Sequence, residues 1–200
     1  KKTLHATQAE SDRVQALRRE YWETMREVRP EDLVFIDETG VNLMMVRLYA
    51  RALKGERATG DRPCKTGKNV TLIGGMSLNG IVAALTLEGG TNGDVFKYFI
   101  EQVLVPNLWI GACVVMDNAS IHKADEIREL IEGAGAKLVY LPPYSPDFNP
   151  IENCWSKVKE FLRSASARTR EALDQAITDA LEAVTLEDIP GWFTYRCYCS

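Results

Sequence analysis

Ala112-Cys113-Val114-Val115-Met116-Asp117 is an uninterrupted apolar run closed by a carboxylate. A short run without polar alternation suits a strand covered on both faces, because both sets of side chains then meet apolar neighbours. Beyond it, Ala124, Ile127, Leu130 and Ile131 fall at helical spacing, and Gly133 and Gly135 end that helix. Lys137 to Leu141 then reads as a second short strand. Strand, helix and strand in so little chain make a βαβ unit, with two parallel strands side by side. Upstream, Asn69 to Ser77 and Gly80 to Leu87 read as strands joined at Leu78-Asn79-Gly80, an Asn-Gly hairpin signal. Asp94 to Val105 reads as a helix ahead of Pro106, and Leu33 to Ile36 as the first strand. Gln8 to Val28 is amphipathic, with Val14, Leu17, Tyr21, Trp22, Met25 and Val28 on one face and Pro30 as its stop. Two further helices follow the last strand, Pro150 to Arg163 and Arg170 to Val184. A hairpin combined with βαβ units predicts an α/β protein with a mixed five-stranded sheet flanked by helices.

Two hundred residues, 46% of them hydrophobic, suffice for one domain with a substantial core. No apolar run approaches the roughly 18 residues that would span a bilayer, and the first residues lack the apolar segment of a signal peptide. Five cysteines, at 64, 113, 154, 197 and 199, form no CxxC pair. That argues against a zinc knuckle or a disulfide framework and for a reducing cytoplasm, with Cys113 and Cys154 as small core residues. The Cys197-Tyr198-Cys199 tail suggests no chemistry. The net charge of −4 conceals a strong asymmetry. Arg47, Arg51, Lys54, Arg57, Arg62, Lys65 and Lys68 face only Glu56 and Asp61 between Val41 and Val70, whereas Glu171 to Pro190 holds six acids and no base. The first stretch is either a solvated surface loop or a phosphate-contacting insert in an otherwise acidic molecule.

Three acids stand where apolar runs give way to polar punctuation. Asp37 ends Leu33-Val34-Phe35-Ile36, Asp117 ends the run quoted first, and Glu152 opens the helix after Asn149-Pro150. Each has an ordinary structural alternative. Asp37 suits a turn before Thr39-Gly40, and strand alternation does not choose between it and Glu38. Asp117 suits a helix cap. Glu152 suits a capping box with Asn149 as cap and Pro150 at the first helical position. His122 reads either as a residue touching the site or a phosphate or, preferably, as a partly buried polar residue of the first helical turn. In the case of Glu152 the register adds information, because Glu152, Ser156, Lys159 and Arg163 share a helix face beside the buried stripe Ile151, Trp155, Val158 and Leu162. Three acids converging in space repel one another unless a cation joins them, and hard oxygen donors suit Mg²⁺ or Mn²⁺.

The string Leu141-Pro142-Pro143-Tyr144-Ser145-Pro146-Asp147-Phe148-Asn149-Pro150-Ile151-Glu152-Asn153-Cys154-Trp155-Ser156-Lys157-Val158-Lys159 closely resembles the DDE signature of IS630/Tc1/mariner transposases. Phe35-Ile36-Asp37-Glu38-Thr39-Gly40 and Met116-Asp117-Asn118-Ala119-Ser120-Ile121-His122 are similar to that superfamily's first two acidic motifs. The thirty-four residues between Asp117 and Glu152 match its usual spacing. The stretch Arg47 to Arg57 is similar to its basic insert after the first strand, and Gly191-Trp192-Phe193 also resembles the family.

The resemblance implies an RNase H-like fold over residues 32–200, preceded by a linker helix over 1–31, with the clamp-like basic insert at about 41–69. It implies Asp37, not Glu38, as the first catalytic acid. With Asp117 and Glu152 it would form a site for two Mg²⁺ or Mn²⁺ ions, flanked by Glu38, Asn118 and His122. The activity implied is metal-dependent DNA strand cleavage and strand transfer without a covalent protein–DNA intermediate. The alternatives are an RNase H-like nuclease lacking strand transfer, and a silent DNA-binding or assembly domain. Arg47, Arg51, Lys54, Arg57, Lys159 and Arg163 are the expected DNA contacts. The expected partners are transposon ends and target DNA, with a homodimer assembled on them and no membrane. Recognition of the ends would reside in a missing N-terminal helix-turn-helix module or on a separate polypeptide. The expected setting is the prokaryotic cytoplasm, in association with DNA.

Overall fold

The computed structural model describes residues 10–47, 49–61, 63 and 67–199. Gln8, the expected start of the first helix, and Leu48, Arg62, Cys64 and Lys65 of the basic stretch lie outside the described residues.

Five strands, β1 (Leu33–Val41), β2 (Val70–Ser77), β3 (Gly80–Glu88), β4 (Cys113–Met116) and β5 (Lys137–Tyr140), form one sheet in the order β3-β2-β1-β4-β5. The pairs β1–β2 and β2–β3 are antiparallel, while β1–β4 and β4–β5 are parallel. The mixed sheet is therefore the one expected, but β1 runs five residues past its apolar stretch. Pairing with β2 continues from Phe35↔Met76 to Val41↔Val70, so backbone hydrogen bonds hold Asp37 to Gly40 extended despite their polarity. On the other edge, pairing with β4 stops at Phe35↔Val115. Asp37 thus lies inside a strand rather than at its end, at the point where β1 loses its parallel neighbour.

The helices are α1 (Asp12–Met25), α2 (Gly93–Tyr98), α3 (Asp125–Gly133), α4 (Ile151–Ala165), α5 (Arg170–Glu182) and α6 (Asp188–Tyr195). The helix expected over 94–105 is broken up. After α2 the chain widens into a π turn over Phe99–Leu104 and tightens at Val105–Asn107 around Pro106. The wider turn carries Phe99, Ile100 and Leu104 into the core together. The helix α6 lies beyond the last helix read from the sequence and was not expected. Pro190 occupies the first turn, where amides lack intrahelical partners, and Ile189 and Phe193 are buried one turn apart.

Strand alternation divides the core into two layers. Leu33, Phe35, Cys113 and Val115 face Tyr21 and Met25 of α1, Trp155 and Val158 of α4, Ile177 of α5 and Phe193 of α6. Val34, Ile36, Val114 and Met116 face Phe96, Phe99, Leu104 and the α3 residues Ile127 and Ile131. Cys113 and Cys154 are core residues, and burial pushes their thiols up to about 11 and about 12. The described part of 42–69 contains no helix or strand. No helix among the described residues is long and apolar enough to cross a membrane.

Candidate active site

The same alternation places the acids. Asp37 continues the face of Leu33 and Phe35, and Asp117 continues that of Cys113 and Val115, so both are directed to the sheet face covered by α4. Glu152 stands in the first turn of α4. All three acids line one cavity of ≈ 380 Å³, together with Leu141 to Pro146 and Asn149. It lies beyond the carboxyl end of β4, beside the point where β1 stops pairing with it, close to where open α/β sheets place ligands.

Each acid is held differently. Trp155, 2% exposed, donates its indole Nε1–H to Asp37 Oδ2 at 3.0 Å. Burial, followed by the nearby charge of Glu152, pushes the Asp37 carboxyl up to about 7. Asp117 is half exposed and is held below the usual carboxylate range chiefly by His122, whose Nδ1 lies 2.6 Å from Asp117 Oδ1. The Ala119 amide donates to the same oxygen at 2.9 Å. The other ring nitrogen of His122, Nε2, lies 3.1 Å from Glu38 Oε1, and the imidazole rests against the Phe96 ring with centroids 4.2 Å apart. Burial opposes charge on this imidazole, but the two carboxylates outweigh it and hold it at about 9. His122 is therefore a bridge between the first two acidic motifs, not merely a residue of a helical turn. Glu38 projects to the opposite sheet face from Asp37 and meets the cavity's support through His122. Asn118 lines the cavity itself.

The capping box that stood as the ordinary alternative for Glu152 does not form. The helix begins at Ile151 after Pro150, with no side-chain cap. Asn149 closes a 3₁₀ turn in extended geometry, and its Oδ1 is buried without a hydrogen-bond partner. The Glu152 carboxylate is consequently not consumed by a cap and remains exposed to the cavity. Among the described residues no three His, Cys, Asp or Glu side chains stand close enough to form a ready-made metal cluster. The donor set nevertheless suits a hard cation: three carboxylates share a cavity, and one of them is driven toward neutrality by burial and by its neighbour's charge.

The basic residues divide into groups. Lys159 and Arg163 line a groove on α4 with the root of the basic stretch, Gly40 to Val46. Arg47 donates Nε–H to Ser164 Oγ at 3.0 Å, and Arg47 and Arg51 line a second groove with Arg168 beyond the end of α4. Lys54 and Arg57 are exposed but line neither groove. Two site residues escaped the sequence reading. Trp155 read only as core stripe, although it lies one turn from Glu152 on the helix facing Asp37. Gly74 read only as a strand residue, although it is paired with Asp37 and leaves room for the indole against the strand.

A family model described as DDE superfamily endonuclease matches residues 32–174. The Transposable element Tc3 transposase of Caenorhabditis elegans is 33% identical over 70 residues, 34% of this chain and 21% of that protein. The Mos1 mariner paired end complex with Mn aligns with a TM-score of 0.78 at 17% identity, covering 98% of this chain and 62% of that one. The Mos1 transposase catalytic domain with Raltegravir and Mn aligns with a TM-score of 0.72 at 15% identity, covering 99% and 94%. The chain thus spans less than two thirds of the transposase in the paired-end complex and about a fifth of the Tc3 protein. The RNase H-like sheet is shared with these structures, and with residues 32–174 matched, the chain belongs to the DDE superfamily endonuclease family.

Proposed function

We propose that this chain is the catalytic domain of a DNA transposase, cutting and joining DNA strands with Asp37, Asp117 and Glu152 as its catalytic acids. The observation that carries the reading is the meeting of three acids from three distant segments in one open cavity on the α4 face. The relatives named above are transposases, one of them solved with Mn and with paired transposon ends, and this supports the same chemistry here.

Asp37, Asp117 and Glu152 would hold two Mg²⁺ or Mn²⁺ ions. Such ions supply Lewis acidity to phosphoryl oxygens and make water or a DNA 3′-hydroxyl a competent nucleophile near neutral pH. The chain's own groups prepare for that charge. Burial and the charge of Glu152 favour the protonated Asp37 carboxyl, which a bound cation would shift back toward the carboxylate, while Trp155 fixes the direction of Oδ2. His122 keeps Asp117 ionised and ties it to Glu38. Lys159 and Arg163, on the helix that carries Glu152, would grip phosphates beside the cavity, and Arg47, Arg51, Lys54 and Arg57 would extend the grip along the basic insert. The exposed Tyr49 and Leu53 on that insert offer apolar contacts to a second copy, in keeping with a homodimer on DNA.

The test is a plasmid-nicking assay with Mn²⁺, run beside strand transfer of pre-cut oligonucleotide ends. Asp37→Asn, Asp117→Asn and Glu152→Gln should each abolish nicking while the domain stays folded, with Asp117→Asn alone lowering Tm because it loses the ion pair with His122. Joined products identify a transposase, and nicking without joining identifies a plain nuclease. Nicking that survives in all three variants sinks the assignment.

A further inference from the structure

The helix α1 lies outside the matched residues 32–174, yet it is locked to the loop that delivers Glu152. Arg18 Nη1 donates to Ser145 Oγ at 2.9 Å and to Asp147 Oδ1 at 3.0 Å, and Nη2 donates to Asp147 Oδ2 at 2.6 Å. The guanidinium also lies 3.9 Å over the Phe148 ring. One side chain thereby holds three residues of the turn that ends two residues before α4. The planar fork matters, because a bidentate pair fixes direction as well as distance.

The loop does not keep its shape by local preference. Tyr144 sits at φ 57, a left-handed conformation that L side chains rarely adopt, and persists where surroundings over-determine it. Those surroundings come from both ends of the chain. Tyr198 donates its hydroxyl to Phe148 O at 2.8 Å, and the Tyr21 hydroxyl of α1 lies 2.5 Å from the Tyr198 hydroxyl. Arg196 Nη1 donates to Asp147 O at 3.0 Å, and Nη2 donates to Asn153 Oδ1 at 2.8 Å. The Glu152 amide in turn donates to Asn149 O at 3.3 Å, so the turn passes directly into the first turn of α4.

We infer that Arg18 is a positioning residue for Glu152: by clamping the Ser145–Phe148 turn, α1 sets where α4 begins and where its first acid meets the cavity. The catalytic role of Glu152 rests on the function proposed above, but the mechanical claim does not.

The test uses the whole chain and three substitutions. Arg18→Met keeps the aliphatic cover over Phe148 but removes the donors, Arg18→Lys keeps charge without the fork, and Asp147→Asn removes the partner charge. Amide hydrogen exchange is followed at Phe148, Asn149, Glu152 and Asn153, and Mn²⁺ affinity by calorimetry. In Arg18→Met these four amides should exchange about tenfold faster, as removal of a charge-assisted bond implies, while β1 and α5 stay as protected as before. Mn²⁺ should bind about tenfold more weakly. Arg18→Lys should fall between, and Arg18→Met combined with Asp147→Asn should lose no more than either alone. Faster exchange confined to α1, or spread evenly over the whole domain with a lower Tm, would identify a simple staple and overturn the inference. So would loosened 148–153 amides with unchanged Mn²⁺ affinity. If the wild-type chain binds no Mn²⁺, the proposed function fails, and the exchange pattern alone decides the clamp.

Discussion

Gly74→Ala is a one-carbon change in a strand interior that should disarm the site from beneath. A Cβ at Gly74 would stand 2.5 Å from Trp155 Cη2 and 3.1 Å from Cζ2. Carbon atoms need about 3.5 Å, so the indole must retreat by about 1 Å. The β1–β2 backbone pairing at Asp37↔Gly74 gives the alanine little room to yield instead. A retreat of that size lengthens the Nε1···Oδ2 separation from 3.0 Å to about 4 Å, beyond hydrogen bonding. The overpacking should cost about 1–3 kcal/mol of stability. The broken bond to a carboxylate is worth about 1.5–3 kcal/mol, which appears as a roughly 10- to 150-fold loss of nicking at subsaturating Mn²⁺. Gly75→Ala supplies the control. Its Cβ would meet Ile36 Cδ1 at 2.9 Å and Val82 Cγ2 at 3.2 Å, on the opposite face and away from Trp155. The two variants should lose comparable Tm, yet only Gly74→Ala should shift the Mn²⁺ dependence. Adding Trp155→Phe to Gly74→Ala should restore Tm without restoring activity. The reasoning fails if Gly74→Ala titrates with Mn²⁺ as wild type does, or if Gly75→Ala shifts the titration equally.

His122→Ala removes the partner of both Glu38 and Asp117, and should cost about 1–3 kcal/mol in urea unfolding at pH 7; an unchanged midpoint would show that the bridge carries no net stability. At the start of α6, Lys157, followed by the Thr185 amide, holds Asp188 down at about 2 against an ordinary 3.8. Its folded pKa is depressed, so its stabilisation is present above about pH 4 and fades as pH falls through about 2. The stabilities of wild type and Asp188→Asn should therefore converge over that window, and parallel curves would rule out the linkage. Arg47→Ala and Arg51→Ala should each flatten the plot of log affinity for duplex DNA against log salt, by about 0.9 for each phosphate the arginine had neutralised. A slope unchanged by either variant would remove these residues from the DNA-binding surface.

Strand parity left Asp37 and Glu38 undecided in the sequence, because both faces of the first strand are apolar, and only the assembled sheet separates them. Once Leu33, Phe35 and Cys113, Val115 share a face, Asp37 and Asp117 follow them, and the Ile151–Leu162 stripe turns α4 toward the same layer. The five strands were readable from apolar runs and one Asn-Gly turn. The length of β1 was not, since pairing with β2 overrides the polarity of Asp37 to Gly40. Nor was α6, which lies beyond the last helix read from the sequence. The bridge through His122 was hidden for a different reason. It depends on Glu38 lying across the sheet from the loop after β4, a tertiary distance with no local signature. Trp155 was masked by its own hydrophobicity, because a buried indole reads as packing whether or not its N–H has a partner.

The helix α4 carries Glu152 in its first turn and meets the root of the insert near its last, through Ser164 and Arg47. Fifteen residues make a rod of about 22 Å, the rise of about six or seven base pairs. Under the proposed function the helix then works as a ruler. The distance between the scissile phosphate and the gripped backbone is set by helix length, and a change of sequence elsewhere leaves that separation intact. Inserting a full turn would displace the cut relative to the grip by about 5 Å while keeping both faces aligned.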